Sequence, residues 1–354
     1  MSSRAEDAPR LRARPPRARR RPRHTAQLSS RPGSRVAPAR AVLVRAPATI
    51  ANLGPGFDCM GLALDGPGDQ VEARWGGDGR TLLESIRGSG AADLPRDPER
   101  NCVSVAAREA LRLAGEKRGV ILRLRKGLAG GSGMGSSSAS SAAGAVAVHR
   151  LLGGALSNDD LLRAALRGEE VASGASHPDN VAPALFGGFV LVRSLAPIDW
   201  IRLEVPAGAW FAIVRPHREV RTEAARRVLP RRVPLADAVD NCRNAAALAL
   251  AVASGDLALW GRATLDRIAE PARTPLLPGL QEARRAALGA GALGFSISGS
   301  GPALFALCDS RGVGLRAAAA MAGVFRAMDT VSDTHVLQAD NRGALGWKPA
   351  RRAR

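Results

Sequence analysis

The sequence predicts an α+β protein, because segments with strand and helix periodicity occur in groups and do not strictly alternate along the chain. Apolar and polar residues alternate at Ala41–Arg45, 69–75 and 80–86, which is typical of strands. Asn101–Ala114 repeats its apolar residues every three or four positions, which is typical of a helix. With 354 residues, of which 45% are hydrophobic, the chain is long enough for two domains.

The same two patterns predict the remaining elements. We expect strands at Gly119–Lys126, Gly187–Val192 and Trp210–Val214, and a pair of strands flanking Gly299–Gly301. We expect helices at 136–152, at Asn158–Ala172 with Ser157 or Asn158 as its N-cap, and near 222–228, 234–254 and 256–268. Ala196–Pro206 is expected to join an N-terminal domain, 41–200, to a C-terminal domain, 201–347.

A glycine-rich segment precedes the helix predicted at 136–152. Residues 126–141 read Lys-Gly-Leu-Ala-Gly-Gly-Ser-Gly-Met-Gly-Ser-Ser-Ser-Ala-Ser-Ser. A sharp loop that leads into a helix points several N–H groups into one concavity, and the helix terminus adds partial positive charge, so the segment suits a phosphate. It is not a Walker A loop, because no Gly-Lys-Ser/Thr follows the glycines. The alternative is a flexible Gly/Ser linker, against which the Ala-rich run after it argues.

Three more segments support a specific assignment. Residues 46–64 contain Asn-Leu-Gly-Pro-Gly-Phe-Asp, and residues 294–307 contain Ser-Gly-Ser-Gly-Pro. Together with the glycine-rich segment, and in the same order, they resemble the three signature motifs of the GHMP kinases. Residues 172–189 read Ala-Ser-Gly-Ala-Ser-His-Pro-Asp-Asn-Val-Ala-Pro-Ala-Leu-Phe-Gly-Gly-Phe and resemble the homoserine kinases among them. The resemblance extends over residues 41–345.

The resemblance implies a two-domain GHMP kinase fold. The N-terminal domain would resemble ribosomal protein S5, and the C-terminal domain would be a ferredoxin-like α+β sandwich. Nucleotide and acceptor would meet where the two domains join. The third motif, Ser298 to Pro302, would pack against the glycine-rich loop and help to close the site.

ATP and Mg²⁺ are the cofactors that the resemblance implies. The phosphates would lie in the glycine-rich loop, where glycines at 131, 133 and 135 let the backbone approach closely. The implied ATP-binding residues are Lys126, Gly130, Gly131, Ser132, Gly133, Met134, Gly135, Ser136, Ser137 and Ser138.

Glu169 and Ser136 are the magnesium ligands that the resemblance implies. Glu169 lies eight residues before His177, as the magnesium carboxylate of homoserine kinases does. Mg²⁺ prefers a few hard oxygen ligands, with phosphates and waters completing its octahedron. On the residue pattern alone, Glu169 would be interpreted as a solvated helix residue beside Glu170.

The acceptor implied by the resemblance is L-homoserine, which carries both an ammonium and a carboxylate. Asp58 would take the ammonium, Asn52 would hold a hydroxyl or backbone group, and two arginines would hold the carboxylate. The chain is rich in arginine, so each arginine could equally form a surface salt bridge. The implied acceptor-binding residues are Asn52, Asp58, His177, Asn180, Arg226 and Arg273.

A general base is not evident. Several GHMP kinases use an aspartate near Asp179 or Asn180, whereas homoserine kinases have asparagine there. We therefore expect catalysis by orientation and by Mg²⁺, with Glu169, Ser136 and Asn180 as the catalytic residues. Asp179 is the alternative base.

The formal net charge of +19 is concentrated at the chain ends. Residues 1–40 hold twelve Arg against Glu6 and Asp7, and residues 348–354 add four more positive charges. The body therefore carries only +5, which is ordinary for an enzyme of anionic substrates. The Pro-rich N-terminal tail has too few apolar residues for a core, so we expect disorder there. A targeting segment or a nucleic-acid-binding arm are the alternatives for this tail.

Composition narrows the location and the partners. No apolar run reaches 18 residues without charge, so no membrane span is expected. The four scattered cysteines suit a reducing cytoplasm. Homodimers are common in the implied family, but no residue decides the oligomeric state. The alternatives to a homoserine kinase are another GHMP kinase, such as one of the mevalonate pathway, and a nucleic-acid-binding protein using the basic tails. Nucleic acid is the less favoured partner.

Overall fold

The computed structural model describes residues 39–76 and 78–349. The predicted tails lie outside these ranges except for residues 39, 40, 348 and 349. The first part of the fold consists of β1 (Ala41–Ala51), β2 (Met60–Trp75), β3 (Thr81–Gly88), α1 (Cys102–Leu113), β4 (Val120–Lys126), α2 (Ser136–Leu151), α3 (Asn158–Ser173), α4 (Pro178–Phe186), β5 (Phe189–Leu195) and β6 (Ile198–Leu203).

The second part of the fold begins with a strand and contains most of the remaining helices. Its elements are β7 (Trp210–Pro216), α5 (Thr222–Arg227), α6 (Leu235–Ser254), α7 (Leu257–Arg262), α8 (Ala269–Arg273), α9 (Leu280–Gly289), β8 (Gly294–Ile297), β9 (Leu304–Cys308), α10 (Arg311–Ala327), β10 (Ser332–Ala339) and α11 (Gly343–Gly346). The predicted α+β class is confirmed.

The long strand β2 organises the first part of the sheet. It pairs antiparallel with β1 along its length, with β4 at its C-terminal half and with β5 at Met60–Leu62. Strand β3 runs parallel to β4, and β6 extends the sheet beyond β5. In the second part, β7 lies between β10 and β9, and β8 follows β9. The two parts are joined where β10 pairs with β2 at Leu64 and Asp65.

Helices α1 and α2 pack closely against each other, and α2 also packs against β1 and β2. Helix α2 consists mainly of Ala, Ser and Gly and is buried on nearly all sides. A Cβ at Gly144 would lie 2.5 Å from the carbonyl oxygen of Val103, so only glycine permits this contact between the two helices. The small side chains thus bring α2, and the loop before it, into the centre of the core.

Helix α3 ends close to the start of α2. Ser157 caps its N-terminus in a capping box with Asp160, as the sequence predicts for one of its two cap candidates. Gly174 ends the helix with a φ of 72°. Helix α4 then begins with Pro178 at its first position. These boundaries place residues 169–180 beside the glycine-rich loop.

Two predicted segments differ from the structure. The helix expected at 256–268 ends at Arg262, because the Asp266 carboxylate accepts the N–H groups of residues 268–270 and starts the separate helix α8. The link expected at Ala196–Pro206 contains β6, which is anchored by Trp200 stacked 4.3 Å from Phe186. The first sheet part therefore continues through Leu203, and the division into two domains near residue 200 stays a prediction.

The described residues form two hydrophobic clusters. The larger contains β1, β2 and α1–α4 and extends into the second part of the fold through Phe211, Trp260 and Phe305. The smaller lies in the second part, on β7–β9 with α9 and α10. Within residues 39–76 and 78–349, no helix has both the length and the apolar character needed to cross a membrane.

Candidate active site

A cleft of about 430 Å³ lies where the glycine-rich loop faces the second part of the fold. All four sequence segments singled out above contribute to its walls. It is lined by every predicted site residue except Met134, namely Asn52, Asp58, Lys126, Gly130, Gly131, Ser132, Gly133, Gly135, Ser136, Ser137, Ser138, Glu169, His177, Asn180, Arg226 and Arg273.

The glycine-rich loop adopts a backbone that favours glycine. Gly131, Gly133 and Gly135 have φ values of 62°, 73° and 67°, in the left-handed region. A Cβ at Gly131 would meet nothing within 4 Å, so this part of the loop borders open space in the cleft. A Cβ at Gly133 would instead lie 2.9 Å from the carbonyl oxygen of Gly301. The loop is thus open towards the cleft and tightly packed against the third motif.

Met134 anchors the loop from inside the protein. Its side chain belongs to the larger hydrophobic cluster. Its N–H donates to Ser132 Oγ at 3.3 Å, and its carbonyl accepts the N–H of Thr49 at 3.1 Å. Since both backbone groups are already paired, we now assign Met134 to holding the loop and not to contacting ATP.

The third motif bonds to both other motifs. Ser298 Oγ donates to the Gly133 carbonyl at 2.5 Å. The Gly299 carbonyl accepts from Asn52 Nδ2 at 2.9 Å and from Arg273 Nη1 at 2.8 Å. The expected packing of this motif against the glycine-rich loop is therefore present.

Glu169 faces the first turn of α2 and is only 3% exposed. Its two carboxylate oxygens accept from Ser137 Oγ at 3.0 Å and from Ser138 Oγ at 2.9 Å. His177 Nδ1 lies 3.1 Å from the same carboxylate, and its N–H donates because a carboxylate accepts only. Glu169 is thus held at the wall of the cleft and is not a solvated helix residue.

The imidazole of His177 is protonated more readily than that of a histidine free in solution. Burial lowers the pKa of His177, but the hydrogen bond and the negative charge of Glu169 outweigh burial, so the pKa is raised. Its Nε2 atom is buried and lacks a hydrogen-bond partner among the described residues. The ring therefore has one free nitrogen beside the cleft.

Asp179 and Asn180 begin helix α4. Asn180 Oδ1 accepts from Thr49 Oγ1 at 2.7 Å, which fixes the orientation of its amide. Asp179 is 2% exposed, and its Oδ1 has no hydrogen-bond partner among the described residues. Burial, together with the negative charge of Asp58, raises the pKa of Asp179 to about 7. Near neutral pH this carboxyl is therefore only partly ionised.

Asp58 and Arg226, predicted to bind opposite ends of the acceptor, are bonded to each other. The two Nη atoms of Arg226 donate to the two carboxylate oxygens at 2.9 and 3.0 Å. Arg273 lies beside this pair, with its guanidinium 5.1 Å from the ring centre of Phe57, and Arg226 is 5.8 Å from the same ring. The Asn52 amide accepts the N–H of Asp58 at 3.1 Å. Two arginines and one carboxylate thus share one wall of the cleft.

Lys126 lies beneath the loop, with its ammonium turned into the protein. Its Nζ donates to Asp69 and to the Oγ of Ser136 at 2.8 Å and of Ser140 at 3.0 Å. Sequence reasoning missed Asp69 and Ser140. Asp69 lies in β2 in phase with the inward-facing Val71, and this unusual position for a carboxylate was the available signal.

The residues present fit a nucleotide with Mg²⁺. The Glu169 carboxylate and the serine hydroxyls are hard oxygen donors of the kind Mg²⁺ prefers. In residues 39–76 and 78–349, no cluster of three or more His, Cys, Asp or Glu side chains could hold a metal. Most ligands of a bound Mg²⁺ would therefore be phosphate oxygens and waters.

The fold and this cleft define the class of the protein. Residues 101–188 match the family model "GHMP kinases N terminal domain", and residues 245–327 match "GHMP kinases C terminal". A mevalonate kinase of L. major, solved with R-mevalonate, has the same fold with a TM-score of 0.63 and 14% identity, covering 87% of this chain and 98% of that one.

Relatives of higher sequence identity show to which family within this class the chain belongs. The chain is 44% identical to a homoserine kinase of Pyrococcus abyssi over 75% of this chain and 87% of that protein. The crystal structure of a homoserine kinase from Cytophaga hutchinsonii superposes with a TM-score of 0.82 at 43% identity, covering 86% of this chain and 96% of that one. The chain therefore belongs to the homoserine kinase family of GHMP kinases.

Proposed function

We propose that this enzyme transfers the γ-phosphoryl group of ATP to the hydroxyl of L-homoserine and forms O-phospho-L-homoserine, a step of threonine biosynthesis. One observation carries the proposal. A phosphate cradle and a set of charges suited to an amino acid line the same cleft. Family membership supports the same activity.

The glycine-rich loop and the N-terminus of α2 would hold the ATP phosphates. The first N–H groups of a helix have no partner within the helix, and they carry partial positive charge. Ser136 and Glu169 would hold Mg²⁺. When bound, this ion neutralises charge that develops on the transferring phosphoryl group. Ser137 and Ser138 would keep the Glu169 carboxylate facing the phosphates through the hydrogen bonds described above.

The wall of the cleft that contains Arg226, Arg273 and Asp58 would hold the acceptor. Arg226 uses one hydrogen of each Nη on Asp58, so a second hydrogen on each remains for a carboxylate. The Asp58 carboxylate likewise has lone pairs left for an ammonium. Arg273 is buried, which lowers its pKa, and it would share the acceptor carboxylate with Arg226. Asn52 and His177 would complete the contacts of the amino acid.

Phosphoryl transfer in this cleft would depend on position more than on proton removal. The amide of Asn180 is fixed by Thr49 and would orient the acceptor hydroxyl. Asp179 is the alternative base, since its raised pKa lies in the range useful for general base catalysis. Its carboxyl is partly protonated at neutral pH, however, and we favour catalysis without it.

The cellular setting follows from weaker observations. Cys59, Cys102, Cys242 and Cys308 are free thiols, which suits the reducing cytoplasm that we propose as the location. A homodimer stays a prediction, as do the two-domain division and the roles of the basic tails. We expect no nucleic acid as a partner of the catalytic body.

An ADP-release assay with several acceptors tests the proposal. L-homoserine, L-threonine, L-serine, mevalonate and shikimate are compared at equal MgATP, together with 4-hydroxybutyrate, which keeps the hydroxyl and carboxylate but lacks the ammonium. We expect turnover with L-homoserine and little with 4-hydroxybutyrate, because the Asp58 side of the site would lose its partner. Preference for mevalonate would instead assign the other GHMP activity.

A further inference from the structure

A buried ion pair lies directly beneath the glycine-rich loop. It joins Asp69 of β2, which has no exposed surface, to Lys126 at the end of β4, which is 5% exposed. Buried ion pairs are weak evidence of a gain in stability, because desolvation of the two charges offsets their attraction. The role of this pair therefore depends on the groups to which its atoms are hydrogen-bonded.

The ammonium of Lys126 has no hydrogen left for a ligand. It has three N–H groups, and four protein oxygens surround it. Two of these belong to Ser136, whose carbonyl lies at 3.0 Å and whose Oγ lies at 2.8 Å. Direct binding of a phosphate by Lys126 would require these bonds to break.

The same bonds determine how the Ser136 hydroxyl is presented. Its hydrogen is donated to the Leu128 carbonyl at 3.0 Å, and one lone pair accepts from Lys126. The other lone pair is free, and Ser136 lines the cleft. A hydroxyl held in this way has only a lone pair to offer a ligand. Coordination of a metal ion requires such a lone pair, also when the ion is bound to phosphate.

Asp69 connects this hydroxyl to the loop and to the body of α2. Its Oδ1 accepts the N–H groups of Gly127 at 3.0 Å and Leu128 at 3.3 Å, where the loop begins. Its Oδ2 accepts from Ser140 Oγ at 2.6 Å, one turn into α2. One carboxylate thus ties both ends of the loop to strand β2.

We infer that Asp69 and Lys126 form a positioning pair, which acts through Ser136 to hold Mg-nucleotide in the cleft. This inference rests on the proposed function, because it assumes that Mg-nucleotide binds at the loop. Lys126, which the sequence predicted to contact ATP, is thereby assigned to orienting Ser136.

A double-mutant cycle on MgADP binding tests the inference. Lys126→Met alone leaves Asp69 as an unpaired buried charge, so the cycle uses the variant Asp69→Asn/Lys126→Met, which removes both charges with little change of shape. It is combined with Ser136→Ala, and MgADP affinity is measured by titration calorimetry on the full chain. Lys117→Met, which removes the same charge at an exposed position, is the control.

We expect the charge-neutral variant to fold with a Tm near that of the wild type and to bind MgADP about 10- to 100-fold more weakly, as is typical for residues that orient metal ligands. Ser136→Ala should weaken binding similarly, and the combination should add little, because both changes remove the same contact. Lys117→Met should bind MgADP like the wild type.

Three results would overturn the inference. A folded charge-neutral variant with wild-type MgADP affinity would show that the pair positions nothing. Losses that multiply in the combined variant would show that Lys126 acts apart from Ser136. A charge-neutral variant that does not fold would make the pair structural. MgADP binding needs no acceptor, so these outcomes are independent of whether L-homoserine is the substrate.

Discussion

Replacing Asp179 by asparagine should make the protein more stable above neutral pH. Asp179 is buried, one of its oxygens is unpaired, and its pKa is raised from 3.8 to about 7. Above that pH the folded protein must hold a buried charge next to the Asp58 carboxylate. Asparagine has the shape of the protonated acid and never carries this charge.

The size of the effect follows from the two pKa values. Between pH 3.8 and about 7 the folded state binds a proton at this site that the unfolded state has released. The contribution to stability is therefore complete below pH 3.8 and declines as pH rises until it is gone near pH 7. A difference of about three between the two pKa values corresponds to about 4 kcal/mol of folding stability. About 2 kcal/mol of this is lost between pH 5 and pH 7.

Urea unfolding at pH 5, 6, 7 and 8 measures this difference. We expect the free energy of unfolding of Asp179→Asn to exceed that of the wild type by an amount that grows up to pH 7 and is then constant. Asp309→Asn, at an exposed position, serves as the control and should follow the wild type. Parallel pH profiles for the wild type and Asp179→Asn would refute the burial argument.

Four further variants test three separate parts of the site. Glu169→Gln should lower kcat about 100-fold or more without loss of fold, because it removes the charge of the proposed magnesium ligand. A near wild-type rate at saturating Mg²⁺ would mean that another group holds the ion. Arg226→Ala and Arg273→Ala should each raise the homoserine KM about 30- to 1000-fold with little change in the ATP KM, since each removes a proposed arginine–carboxylate contact with the acceptor. An unchanged homoserine KM would place the acceptor elsewhere. Gly133→Val should raise mainly the ATP KM, because its side chain would collide with the Gly301 carbonyl and strain the loop, and a normal ATP KM would remove the loop from the nucleotide site.

The elements predicted well are those with strong local signals. Strand β4 and helices α1, α2 and α3 lie within a few residues of their predicted bounds, because periodicity and capping residues are encoded within each segment. Helix α4 has only nine residues and contains Pro183, which argues locally against a helix. Strand β10 is stabilised by pairing with β7 and β2, which are distant in sequence. Neither was predicted.

Sequence motifs indicated residues that line the cleft, but not the contacts between them. Sequence motifs indicated Asp58 and Arg226, yet their bond joins positions 168 residues apart and only the fold reveals it. The same holds for Lys126, whose partner Asp69 is on another strand. Asp179 could be named from its motif, but its raised pKa depends on burial and on Asp58, which no local pattern encodes. Contacts between charged residues that are distant in sequence can therefore be identified only from the structure.

A crystal structure with L-homoserine and a non-hydrolysable ATP analogue tests the central claim most directly, because it locates both reactants. The account predicts the phosphates on loop 130–138 and the homoserine carboxylate on Arg226 and Arg273, with the hydroxyl oxygen about 3–3.5 Å from the γ-phosphorus. Homoserine bound outside this cleft, or with its carboxylate in the glycine-rich loop, would contradict it.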